Sequence, residues 1–130
     1  MEIKIDKNQM KDLLEDYYRK YEQTEGTIEI KATKEYEGYY EEEVCAIQVN
    51  YIREIEILGK KVSLTTYLTK EEVQEIFNIL LRDNGYVIEN MRYDKGLRPN
   101  DYGGKEEPYF DGVSFTVKSL NKKKVKVRGE

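Results

Sequence analysis

The densest run of chemically capable side chains is Glu35-Tyr36-Glu37-Gly38-Tyr39-Tyr40-Glu41-Glu42-Glu43, with five glutamates and three tyrosines in nine residues. Tyrosine brings a rigid apolar face and a polar tip, and glutamate attracts cationic groups. Such a segment suits docking on a basic protein groove, where its carboxylates would imitate nucleic-acid phosphates. Its other readings are a weak carboxylate metal site and a solvated connecting loop. A second run is Arg92-Tyr93-Asp94-Lys95-Gly96-Leu97-Arg98-Pro99-Asn100-Asp101-Tyr102-Gly103-Gly104-Lys105. Arg92, Arg98 and Lys105 could hold a phosphate or carboxylate, and Tyr93 and Tyr102 could stack on a base or ring. Gly103 and Gly104 would let backbone amides approach an anion. The alternative is a loop whose tyrosines pack on a neighbouring sheet. The third candidate is Tyr17, Tyr18 and Tyr21, either an interface stripe or, for Tyr17 and Tyr21, core residues whose hydroxyls reach water.

The missing side chains narrow the chemistry further. The chain has no histidine, so it lacks the commonest general base, the usual activator of a serine or cysteine nucleophile, and the main imidazole metal ligand. Cys45 falls on the apolar side of an alternating segment and reads as a core residue. Ser63, Ser114 and Ser119 stand in no Gly-x-Ser-x-Gly elbow, and no phosphate loop, dinucleotide fingerprint or EF-hand pattern occurs. A mechanism resting on carboxylate, lysine or tyrosine alone is the remote alternative. The expectation is a protein without enzymatic activity, cofactor or metal.

Charge and length bound the partners. The 130 residues suffice for one domain that buries roughly two-thirds of its unfolded surface. Net charge is −4, but residues 112–130 hold six basic residues and one acidic one, so an acidic body ends in a basic tail. An acidic body repels phosphates, which disfavours general nucleic-acid binding. A single cysteine excludes an internal disulfide and suits a reducing compartment. No apolar stretch approaches the roughly 18 residues of a membrane span, and Met1–Asp6 holds no apolar run of signal-peptide length, so the expected location is the cytoplasm. Twelve tyrosines, abundant Lys, Glu and Ile, and only two prolines suggest an AT-rich coding sequence, as in a low-GC Gram-positive bacterium, its phage or a mobile element.

The elements that must position these residues follow from periodicity. Asp6 with Gln9 makes a capping box, and Met10, Leu13, Leu14, Tyr17, Tyr18 and Tyr21 recur at helical spacing, which predicts a helix over about 7–22 ending before Gly26. Strands are predicted over 27–33, from Cys45 on through Ile57, and over Val62–Leu68, with Gly59-Lys60 as a type II′ turn. Residues 34–43 read as a connection. Thr69-Lys70-Glu71-Glu72 caps a second helix carrying Val73, Ile76, Phe77, Leu80 and Leu81, with Asn84-Gly85 at its exit. Tyr86–Tyr93 reads as a strand, Asp94–Glu107 as a long connection, Tyr109–Val117 as a strand bulged near Gly112, and Val125 and Val127 as a short charged closing strand. A further strand at Glu2–Ile5 is a possible preface.

The order α-β-β-β-α-β-β-β predicts an α+β fold, an antiparallel sheet of about six strands with two helices on one face. It also raises the idea of two pseudo-repeated α-β-β-β units, about 6–68 and 69–128. The leading expectation of function is a small binding protein that occupies a protein surface, as an accessory protein of a phage or mobile element antagonising a host system. The runner-up is a small-molecule or nucleotide binder using the 92–105 segment. A third is a homodimeric structural subunit that pairs through free sheet edges.

Overall fold

Asp6 does two jobs at the start of the chain. It ends strand β1 (Glu2–Asp6), and its side chain accepts from the Gln9 backbone N–H at 2.8 Å while Gln9 accepts from the Asp6 N–H at 2.9 Å. That reciprocal cap starts helix α1 (Lys7–Tyr17), whose Met10 and Leu14 are fully buried. Helical structure covers the predicted 7–22, but only Lys7–Tyr17 is α-helical. Tyr18–Glu22 forms a π-helical turn, closed by Gln23 in the left-handed conformation at φ 55° rather than by Gly26. The computed structural model describes residues 1–39, 42–100 and 103–120.

Strands β2 (Thr27–Glu37), β3 (Glu42–Ile57) and β4 (Lys60–Leu68) form one antiparallel sheet in that order. The strands run further than the alternation suggested: β2 continues to Glu37 and β3 begins at Glu42, so most of the expected 34–43 connection is strand. The β3–β4 turn is also re-registered. Ile57 pairs with Lys60, so its central residues are Leu58 and Gly59, with φ of 49° and 81°. Two left-handed residues define a type I′ turn, not the type II′ turn at Gly59-Lys60.

Thr69 caps helix α2 (Lys70–Arg82) by the expected box with Glu72, and Val73, Ile76 and Phe77 are buried. Gly85, at φ 85°, turns the chain into β5 (Tyr86–Pro99), which pairs with β6 (Glu106–Ser119). The long connection predicted for 94–107 shrinks to residues 100–105, because both strands continue past Asp94. The register shifts between Ile88 and Asn90 and again between Asp94 and Lys95. The first shift leaves Glu89 unpaired on β5, and the second leaves Asp111 unpaired on β6, the bulge expected near Gly112. The predicted strand at Val125 and Val127 lies outside the described residues.

The fold is α+β with six antiparallel strands, divided into two sheets of three rather than one of six. The second sheet has the order β1-β6-β5. β4 leads into α2 rather than a hairpin, so β5 never meets β4, and β6 takes its second neighbour, β1, from the start of the chain. Helix α1 lies against β2 and β6, and α2 against β4 and β5, so the helices bridge the sheets. One apolar cluster joins all layers, with Ile28, Val49, Leu68, Met91, Val113 and Phe115 facing the helical side chains. Phe77 and Phe115 meet at a ring separation of 5.0 Å. No described helix is long and apolar enough to cross a membrane.

Candidate protein-contact site

The Tyr/Glu run becomes the end of the β2–β3 hairpin. Antiparallel register sets Tyr36 opposite Glu43 and Glu37 opposite Glu42. Gly38 makes the turn at φ 88°, a conformation that favours glycine. Tyr36 is 61% and Tyr39 93% exposed, and Glu35, Glu37, Glu42 and Glu43 are exposed beside them. Tyr40 and Glu41 lie outside the described residues. Lys34 ties the hairpin down: its Nζ is 3.6 Å from Glu43 Oε2 and donates to the Glu106 carbonyl at 3.3 Å.

Below this end, a cleft of roughly 450 Å³ separates the two sheets, with Glu37, Glu43 and Cys45 on one side and Lys95, Gly96 and Leu97 on the other. Lys95 Nζ donates to the Cys45 carbonyl at 2.7 Å, and Cys45 Sγ donates to the Tyr109 carbonyl at 3.4 Å. Cys45 is thus a buried structural residue, as its place in the alternation suggested. Lys95 falls in the stretch that reads as a connection, where no strand alternation says which side it faces. Glycine at 96 leaves room for the Tyr109 ring, whose hydroxyl would stand 2.8 Å from any Cβ there.

The 92–105 residues do not gather around one point. Arg92 and Arg98 stand six residues apart on β5, roughly 20 Å along an extended strand, far more than a phosphate spans. Arg92 pairs with Glu2 at 3.8 Å and Asp94 at 3.4 Å. Arg98 lies over the Tyr109 ring, 4.5 Å from its centroid. Tyr93 packs edge-on against Phe110 at 5.7 Å, as the sheet-packing alternative had it. Gly103, Gly104 and Lys105 are exposed on the turn that the Asn100 N–H closes onto the Lys105 carbonyl at 2.8 Å. Tyr102 lies outside the described residues.

The helix-one tyrosines form a ladder. Tyr18 stacks flat on Tyr51, with centroids 3.7 Å apart and planes 5° apart, and Tyr17 stacks on Tyr21 at 5.2 Å. Tyr17 and Tyr18 are half-buried, but Tyr21 is 40% exposed and donates to Asp83 at 3.1 Å, so it is not a core residue. Tyr21 keeps its place beside Tyr17 but sits in the π turn that ends the helix, where no residue is buried. Tyr17, Tyr18, Leu68 and Ile76 wall a groove of roughly 320 Å³ between the helices, with Glu22, Glu72 and Glu75 also lining it.

Burial pushes the Tyr18 phenol up to about 12, with the neighbouring Tyr17 and Glu22 adding to it, and burial raises Tyr93 as well, with Glu71 second. A raised tyrosine pKa means that the folded state holds the proton more tightly than the unfolded chain. The stability this confers is intact below about pH 10 and is lost as pH climbs from there through the folded value. Absorbance titration is therefore expected to leave Tyr18 and Tyr93 protonated at about pH 11 while the protein stays folded. A single transition of all twelve tyrosines near pH 10 would contradict the packing.

Among the described residues no three cysteine or acidic side chains group to hold a metal ion. Comparison with known proteins gives no match to a protein-family model, a curated protein or a solved structure. What can be assigned is therefore an antiparallel α+β protein that presents a tyrosine- and glutamate-rich hairpin end.

Proposed function

We propose that this chain is a non-enzymatic binding protein that occupies a basic surface of a protein partner with the β2–β3 hairpin end. The observation that carries the proposal is the facing pair Glu37 and Glu42. Like charges directly opposite on adjacent strands destabilise a sheet. A partner's lysines or arginines would relieve that repulsion, so a local loss of stability becomes a gain on binding. Tyr36 and Tyr39 flank the pair with aromatic surface of the kind that dominates contact energies. The setting we propose is the cytoplasm, with the protein acting as an accessory of a phage or mobile element against a host system, in keeping with the AT-rich composition.

A small anionic ligand held by Arg92, Arg98 and Lys105 is the less favoured reading, because the arginines are far apart and each already has a side-chain neighbour. The test is capture of the protein partner by the wild-type chain and by Glu42→Lys. Capture should be lost on charge reversal, and equal capture would reject the acidic end as the contact.

A further inference from the structure

The second strong feature lies at the other end of the same sheet. β3 is 16 residues long, so the β3–β4 turn stands about 50 Å from the β2–β3 turn. Beyond Tyr51 the two strands form an arm outside the core. Ile57 and Leu58 are 53% and 97% exposed, and Val62, Leu64 and Tyr67 are 38%, 39% and 64% exposed. Register places Ile55, Val62, Leu64 and Ile57 on the face that carries Val49 and Leu68 into the core. The arm therefore extends the core's apolar stripe into solvent.

The outer edge of β4 is also unguarded. Single side chains bond to two other edges: Glu15 accepts from the Ile28 N–H on β2 at 2.8 Å, and Asn78 accepts from the Ile88 N–H on β5 at 2.9 Å. Among the described residues no strand pairs with the outer edge of β4 and no side chain bonds to it. After Lys60 and Lys61 the strand runs Val62-Ser63-Leu64-Thr65-Thr66-Tyr67-Leu68, with no charge, proline or glycine. Long, uncharged edges of this kind pair with other chains unless something covers them.

We infer that a second copy of this chain covers that edge: two protomers pair antiparallel, β4 to β4, about a two-fold axis through Leu64, fusing their sheets into one of six strands. The turn fixes which backbone groups face outward, and the axis through Leu64 is the register in which the two leucines meet. In a two-residue hairpin the flanking pair Ile57–Lys60 exchanges hydrogen bonds, so even-numbered β4 residues bond to β3 and Lys61, Ser63, Thr65 and Tyr67 aim their backbone groups outward. An axis through Leu64 then sets Ser63 opposite Thr65 and Lys61 opposite Tyr67 of the other copy, and those four pairings supply about eight backbone hydrogen bonds. Val62 and Leu64 of each copy cover one another on the apolar face.

Charge selects the second copy as occupant. In this register the lysines of one protomer never face those of the other. Lys60 and Lys61 are carried to the far end of the second β4, beside Leu68 and the first turn of α2, where Glu71 and Glu72 outnumber Lys70. That end is also the mouth of the groove lined by Tyr18, Leu68, Glu72 and Glu75. The self-association goes beyond the contact proposed for the β2–β3 end and stands whether or not that proposal holds.

Sedimentation of the full chain at micromolar concentration tests it, with a species of twice the 15.4 kDa protomer mass expected. Leu64→Cys should cross-link across the axis under mild oxidation, because residues facing in a non-hydrogen-bonded pair have Cα atoms about 4.5 Å apart, within disulfide reach. Val62→Cys should remain uncross-linked, since its two copies would be about 13 Å apart along the strands. Cys45 is buried, and wild type oxidised in parallel is the control. Thr65→Pro removes only an outward N–H, so it should give a folded monomer with unchanged circular dichroism. A wild-type monomer, cross-linking of Val62→Cys as readily as Leu64→Cys, or a folded Thr65→Pro dimer would each overturn the inference.

Discussion

Gly112→Ala is expected to remove about 2–5 kcal/mol of stability, combining backbone strain with overpacking. Gly112 sits in β6 at φ 143°, paired with Asp6 of β1 on one side and Asp94 of β5 on the other. A Cβ there would fall well inside van der Waals contact of the Ile5 carbonyl oxygen and 2.8 Å from Asp6 Cα. Neither neighbour is the yielding end of a side chain; both are backbone at the corner where β1 becomes α1. The substitution must push β1 off the sheet and disturb the Asp6 cap behind it. Since a domain's whole stability is about 5–15 kcal/mol, the loss is a large share. Urea unfolding should show a lower midpoint at unchanged slope, with β1 amides exchanging first. A midpoint like that of wild type would mean that β1 does not pass so close to Gly112.

The second large effect is on recognition. Tyr36→Ala together with Tyr39→Ala should weaken partner binding by at least about 30-fold, the equivalent of one aromatic hot spot of roughly 2 kcal/mol. Both rings are exposed, so folding stability should move by no more than about 0.5 kcal/mol. Calorimetry with the captured partner, run beside urea unfolding, separates the two readouts. Binding that survives loss of both rings would remove the hairpin end from the contact.

What the sequence made legible was local. The caps at Asp6 and Thr69, the buried faces of both helices and the alternation through Cys45–Ile57 each declare themselves in short windows, because a capping box spans four residues and a strand repeats every two. The division into two sheets was not legible, because it depends on β1 pairing with β6 across more than a hundred residues. The 92–105 segment misled for a related reason. Gly96, Pro99, Asn100 and Asp101 mimic a loop, while Tyr109 lying over Gly96 shows a strand with a place for a ring. The acidic hairpin was visible as composition. That Glu37 faces Glu42 required the register, which no run of glutamates specifies.

The most direct test of contact through the β2–β3 end measures two properties of Glu42→Lys together. The substitution turns a facing like-charge pair into an opposite-charge pair, which should raise stability by roughly 0.5–1 kcal/mol. The same change should abolish capture of the basic partner, so a more stable protein that no longer binds is the predicted result. A variant that captures the partner as well as wild type, whatever its stability, would contradict the account.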